Sequence, residues 1–145
     1  MAEQFFRITN TVALIGWMTL LVLPGNRRIS GLLCAVILPA GLAAAYATVI
    51  LWRLAAGGTP PGDLGTISGL RSAFADDWVF AAAWTHYLVF DMWVGAWIAR
   101  DSIRLRIPWP IRSASLLLTF LLGPIGFLLH LGARTMLARK VSIDD

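Results

Sequence analysis

His86, Asp91 and His130 are ionisable side chains set inside long apolar runs, and Asp101 stands near the end of the same run as the first two. An ionisable group at bilayer depth costs roughly 2.5–3.5 kcal/mol on insertion scales, so each position calls for a reason. On a helix Asp91 lies about 140° and about 7.5 Å from His86, with Asp101 angularly between them and roughly 15 Å beyond Asp91. The three share a broad face; His86 and Asp91 can flank a ligand but hardly chelate an ion alone. Mirrored about a turn at Pro108, the next run brings His130 to the depth of His86, and Pro124 close to Asp91. Gly123-Pro124-Ile125-Gly126 frees a backbone carbonyl and lets a neighbour approach closely. A carboxylate facing such a break and two imidazoles at one level make a polar pocket. The walls are aromatic: Trp84, Tyr87, Phe90, Trp93 and Trp97 from one run, Phe120 and Phe127 from the next. That lining fits an apolar ligand carrying one or two oxygens.

These residues need elements to hold them, and composition says which. The chain has 145 residues, 58% hydrophobic and only 14% charged, with mean hydropathy +0.73. Soluble domains run near ~25% charged. The fold class is therefore all-α integral membrane: four transmembrane helices over about 5–23, 29–51, 78–101 and 113–137, one domain over 1–145. The first is expected to be a retained helix, since no small-x-small cleavage site precedes Pro24. Pro39 is expected to kink the second. Residues 52–77 are a loop with one short interfacial helix, and Asp76-Asp77 cap the third span. Short connections make an up-down bundle with both termini on one side and the pocket between helices 3 and 4. Arg27, Arg28, Arg100, Arg104, Arg106 and Arg112 then face Arg7, Arg53, Arg71, Arg134, Arg139 and Lys140, six against six, and orientation stays open.

The pI of 10.2 does not point to nucleic acid, because the cations sit in short clusters beside the apolar runs, as topology anchors do. The single cysteine, Cys34, excludes a disulfide framework and a thiolate zinc site and reads as a small buried hydrophobe. No cofactor is expected: there is no GxGxxG, phosphate loop or serine elbow. A metal held by His and Asp, of the Fe or Zn kind, stays open, although the histidine-rich spacing of membrane oxygenases is absent.

Trp84-x-His86-Tyr87-Leu88-x-x-Asp91-x-x-x-Gly95-x-Trp97-Ile98-x-Arg100-Asp101, followed by Leu118-Thr119-Phe120-x-x-Gly123-Pro124-x-Gly126, resembles the small membrane family of the plant abscisic-acid-deficient-4 protein. The start, Asn10-Thr11-x-Ala13-Leu14-x-Gly16-Trp17, and the Leu23-Pro24 stop extend the resemblance over nearly the whole chain. In plants that family is tied to neoxanthin formation from violaxanthin, an isomerisation that opens an epoxide and forms an allene. Bacterial members form a domain-of-unknown-function group. The resemblance implies a carotenoid isomerase needing no redox cofactor, with Asp91 as acid, His86 or His130 as base, and a pocket extended by Asp101. The expectation is a protein of the bacterial inner (plasma) membrane that acts on or binds a carotenoid-like isoprenoid lipid. Self-association and partnership with other carotenoid enzymes stay open. The alternative is a non-enzymatic membrane subunit or lipid-binding assembly partner in which His86, Asp91 and His130 fasten helices together. A small transporter is weaker, for want of an inverted repeat.

Overall fold

The structure, a computed structural model, describes residues 1–56 and 64–142. Among them it is all helix: α1 Ala2–Val22, α2 Ile29–Ala55, α3 Ile67–Ala73, α4 Asp77–Arg104, α5 Trp109–Leu122 and α6 Pro124–Ala133, the last continued by one wide turn, Arg134–Ala138. Part of the proposed loop 52–77 lies outside the described residues.

Among the described residues α1 and α2 are long and apolar enough to cross a membrane. Only 28% and 22% of their apolar windows are buried, so most of that hydrocarbon points outward, unlike the core helix of a soluble domain. The first nine residues of α2, Ile29–Ile37, are π-wound, and the winding ends just before Pro39. Proline has no N–H to give to the preceding turn, and the wider winding accommodates that gap.

α4 is the central element. At 28 residues it is about 42 Å long. Its start is fixed as the sequence suggests, with Asp76 Oδ1 accepting from Trp78 N and Val79 N at 2.9 and 3.2 Å. α1 runs parallel to it: Phe5 meets Trp78, Thr9 meets Thr85, and Trp17 lies over Gly95, where a Cβ would come within 2.4 Å of the indole. α2 runs antiparallel, from Arg100 Nη1 donating to Ser30 O at 2.6 Å down to Trp52 against Trp78 and the Arg53–Asp76 ion pair. The core between them holds Ala13, Trp17, Leu20, Cys34, Met92, Ile98 and, from α5, Leu116.

Beyond Arg104 the structure departs from the expected fourth helix over 113–137. α5 descends only as far as the level of Asp91, with Phe120 against Trp17 at 5.4 Å. Gly123 then takes φ +43°, a backbone region that side chains other than glycine rarely enter, and Pro124 starts a new helix. α6 climbs back beside α5, and Gly126 is the contact that lets it. A Cβ there would fall 2.1 Å from Thr119 N and 2.4 Å from Ser115 O, so the two backbones touch. Residues 109–138 thus form a helical hairpin whose 14-residue first arm is about 21 Å long, short of the ~30 Å hydrocarbon core.

Two expectations change with it. The chain leaves the hairpin at the Arg104 end, opposite Ala2, so the described ends do not share a side. Arg134, Arg139 and Lys140 also join Arg27, Arg28, Arg100, Arg104, Arg106 and Arg112, leaving Arg7, Arg53 and Arg71 at the other end: nine against three.

Candidate functional site

The structure distributes the ionisable groups along three faces of α4. His86 faces α2, its ring 5.6 Å from Tyr46 and 4.8 Å from Phe90. It lines a cavity of about 420 Å³ together with Tyr46, Ile50, Leu70 and Phe74, so the space beside it lies between α2, α3 and α4 and not between α4 and the hairpin.

Asp91 faces the hairpin tip. A Cβ on Gly123 would lie 3.2 Å from Asp91 Oδ1, 3.3 Å from Oδ2 and 3.4 Å from the Tyr87 hydroxyl, so the bare glycine is what leaves room for both groups. The Tyr87 hydroxyl and the Asp91 carboxylate both face Gly123, and Asp91 Oδ2 is a buried oxygen without a hydrogen-bond partner. Buried carboxylate oxygens are rarely left in that condition, because losing water without a replacement donor costs on the order of 1–3 kcal/mol. Trp84 stacks beside Tyr87 at 5.4 Å and is itself held by Phe6 and by its Nε1 donating to Asn10 Oδ1 at 3.0 Å. Phe90 and Trp93 are exposed on the outer surface at the same level.

His130 is placed elsewhere. Its Nε2 lies 2.9 Å from Asp101 Oδ2 and its Nδ1 3.4 Å from Ser102 Oγ, about 22 Å along α4 from the level of His86. With Nε2–H donating to the carboxylate, Nδ1 is left to accept from the serine. Asp101 is also paired with Arg134 Nε at 2.9 Å and with Arg104 Nη2 at 2.8 Å. His130 and Arg134 are 0% exposed and Asp101 4%, so this carboxylate is a buried hub that also pairs with its helix neighbour Arg104. Trp97 closes the hub from one side, edge-on to His130 at 4.9 Å, near Phe127 at 5.8 Å and beneath the Arg134 guanidinium at 5.6 Å. Pro124 at the tip is exposed.

His86, Asp91 and His130 are therefore not brought into one pocket. The mirror about Pro108 holds as far as Gly123 and fails beyond it, because the chain reverses there and carries His130 back to the level of Asp101. Sequence reasoning missed Tyr87 as a polar neighbour of Asp91 rather than an aromatic wall, and it missed Ser102 and Arg134. The signal for Arg134 was present: a cation at the end of an apolar run, one turn beyond His130, with Asp101 the nearest acid to a chain that doubles back. Among the described residues no three His, Cys, Asp or Glu side chains converge as metal ligands.

The family model described as ABA DEFICIENT 4-like matches residues 4–130, from the start of α1 to His130, and so takes in Tyr87, Asp91, Asp101 and the hairpin tip. No curated protein and no solved structure matches the chain.

Proposed function

The chain belongs to the ABA DEFICIENT 4-like family, and from that premise we propose that it is a single-domain integral membrane protein that binds and isomerises a carotenoid-like isoprenoid beneath the tip of its hairpin. α1, α2 and α4 cross the bilayer and the hairpin enters it from one side, which replaces the four-span bundle. The end carrying nine of the twelve cations faces the cytoplasm, and the bacterial inner membrane is the setting that charge pattern fits.

One observation carries the reading: Asp91 presents a buried, unpartnered carboxylate oxygen beside the Tyr87 hydroxyl, at a gap that only a glycine keeps open. An isoprenoid oxygen has a donor to meet there, and its hydrocarbon has Trp84 and Tyr87 to lie against. Isomerisation that moves a proton from carbon to oxygen changes no oxidation state, so one acid and one base are enough. The Asp91 carboxyl gives its proton to the substrate oxygen, and the pair it forms with Tyr87 takes the proton leaving carbon, which restores the starting state. His86 faces a different element and His130 is engaged by Asp101, so neither is the base in this scheme.

The test is expression in a carotenoid-producing host with pigment chromatography. A new isomer is expected from the intact chain, lost in Asp91→Asn and cut at least tenfold in Tyr87→Phe while both variants still insert. An unchanged pigment profile with no co-purified pigment, or full activity in Asp91→Asn, overturns the reading. The second reading, a non-enzymatic subunit, is favoured by the Asp101–His130–Arg134 hub, whose contacts all tie the hairpin to α4.

A further inference from the structure

The cation-rich end of α4 holds more positive charge than the acids among the described residues there balance. Arg100 and Arg104, one turn apart, stand between two cavities. One, about 390 Å³, is lined by Arg27, Ser30, Arg100 and Arg104 together with the Pro24-Gly25 turn. The other, about 320 Å³, is lined by Trp97, Arg100, Asp101 and Arg104. Asp101 is the only acid at this end among the described residues, and it already serves His130, Arg104 and Arg134. Arg100 is half-buried and gives a hydrogen bond to Ser30 O, but among the described residues no carboxylate lies within ion-pair distance of Arg100 or of Arg27. Two guanidiniums from different elements therefore converge on one concave space with no carboxylate among the described residues to meet them. The guanidinium fork matches phosphate oxygens two at a time, which makes phosphate the fitting chemistry.

We propose that the cavity between the Pro24–Ser30 turn and the end of α4 is a phosphate site, taking the headgroup of an anionic phospholipid from the adjoining leaflet through Arg27 and Arg100. The phosphate chemistry follows from the charges alone; its lipid source rests on the membrane reading, and neither depends on isomerase activity. A lipid held there would pin the α1–α2 turn to α4 at the end where the hairpin is anchored.

The intact protein in neutral detergent is melted while its single thiol, Cys34, which is 0% exposed, reports unfolding through a thiol-reactive dye. Phosphatidylglycerol is expected to raise the midpoint by several degrees, and phosphatidylcholine at equal concentration to leave it unmoved, since a ligand of the folded state stabilises by mass action. Arg27→Gln, an exposed side chain whose loss spares the fold, should raise the lipid concentration for half the effect about fivefold, in line with one cation at a membrane surface. Arg100→Gln should abolish the response. A rise with inorganic phosphate equal to that with phosphatidylglycerol, and equally sensitive to Arg27→Gln, upholds the site and names soluble phosphate as its source. Equal responses to both lipids, no response to any probe, or a response that Lys140→Gln weakens as much as Arg27→Gln overturns the proposal.

Discussion

Replacing Gly126 by alanine tests the hairpin through the sign of the effect. In a straight helix over 113–137 the substitution removes a poor helix former and stabilises by about 0.8–1 kcal/mol. In the hairpin the new Cβ meets Thr119 N at 2.1 Å, Thr119 Oγ1 at 2.3 Å and Ser115 O at 2.4 Å. Two of those atoms are backbone, so relief requires the arms to separate, and overpacking of this kind costs about 1–3 kcal/mol or more. For a chain of this size that is a fall of about 3–10 °C in melting temperature. Gly132→Ala is the internal control, because it lies on the same arm and a Cβ there meets nothing within 4 Å; it should melt about 2–4 °C above the parent. Labelling of the buried Cys34 during a thermal ramp reads both. Stabilisation by Gly126→Ala, or equal behaviour of the two variants, refutes the hairpin.

Two further outcomes follow from the same geometry. Asp101→Asn leaves the fully buried Arg134 without its counter-charge, and breaking a buried pair from one side costs about 3–5 kcal/mol. The melting temperature should fall by about 10 °C or more, and an unchanged melt would show that the hub carries no stability. Single cysteines placed by Asn26→Cys, Ser68→Cys and Ser142→Cys in a Cys34→Ser background report sidedness in intact cells. Positions 26 and 142 should be protected together and 68 labelled; joint labelling of 68 and 142 restores a fourth full span.

Much of the fold was legible because its signals are local. Hydropathy marks α1 and α2, Asp76 marks the start of α4, and low charge marks the apolar exterior. The adjacency of Asp91 to the Gly-Pro break was also legible, since it needs only the turn at Pro108 and equal rise on two helices. The hairpin was not, because Gly123-Pro124-Ile125-Gly126 is compatible with a kink and with a reversal, and sequence spacing counts both the same way. What separates them is a tertiary contact, Gly126 on Thr119, and a tertiary charge balance, Arg134 on Asp101. Two misplacements follow from that one choice, His130 at the wrong depth and the cations tied at six each, whereas His86 is misplaced by the side of α4 it occupies, against Tyr46 of α2. Tyr87 was hidden for another reason, since its ring suits an apolar wall and only the geometry reveals what its hydroxyl meets.

On the proposed membrane reading, the hub would also set an order of events during synthesis. The arms of the hairpin are too short to be accepted into a bilayer as spans in their own right, and the second brings His130 and Arg134 with it. Those side chains become tolerable at depth only against Asp101, which α4 presents once it stands among α1 and α2. On the proposed membrane reading, residues 109–138 therefore enter as a wedge after α1, α2 and α4 have come together.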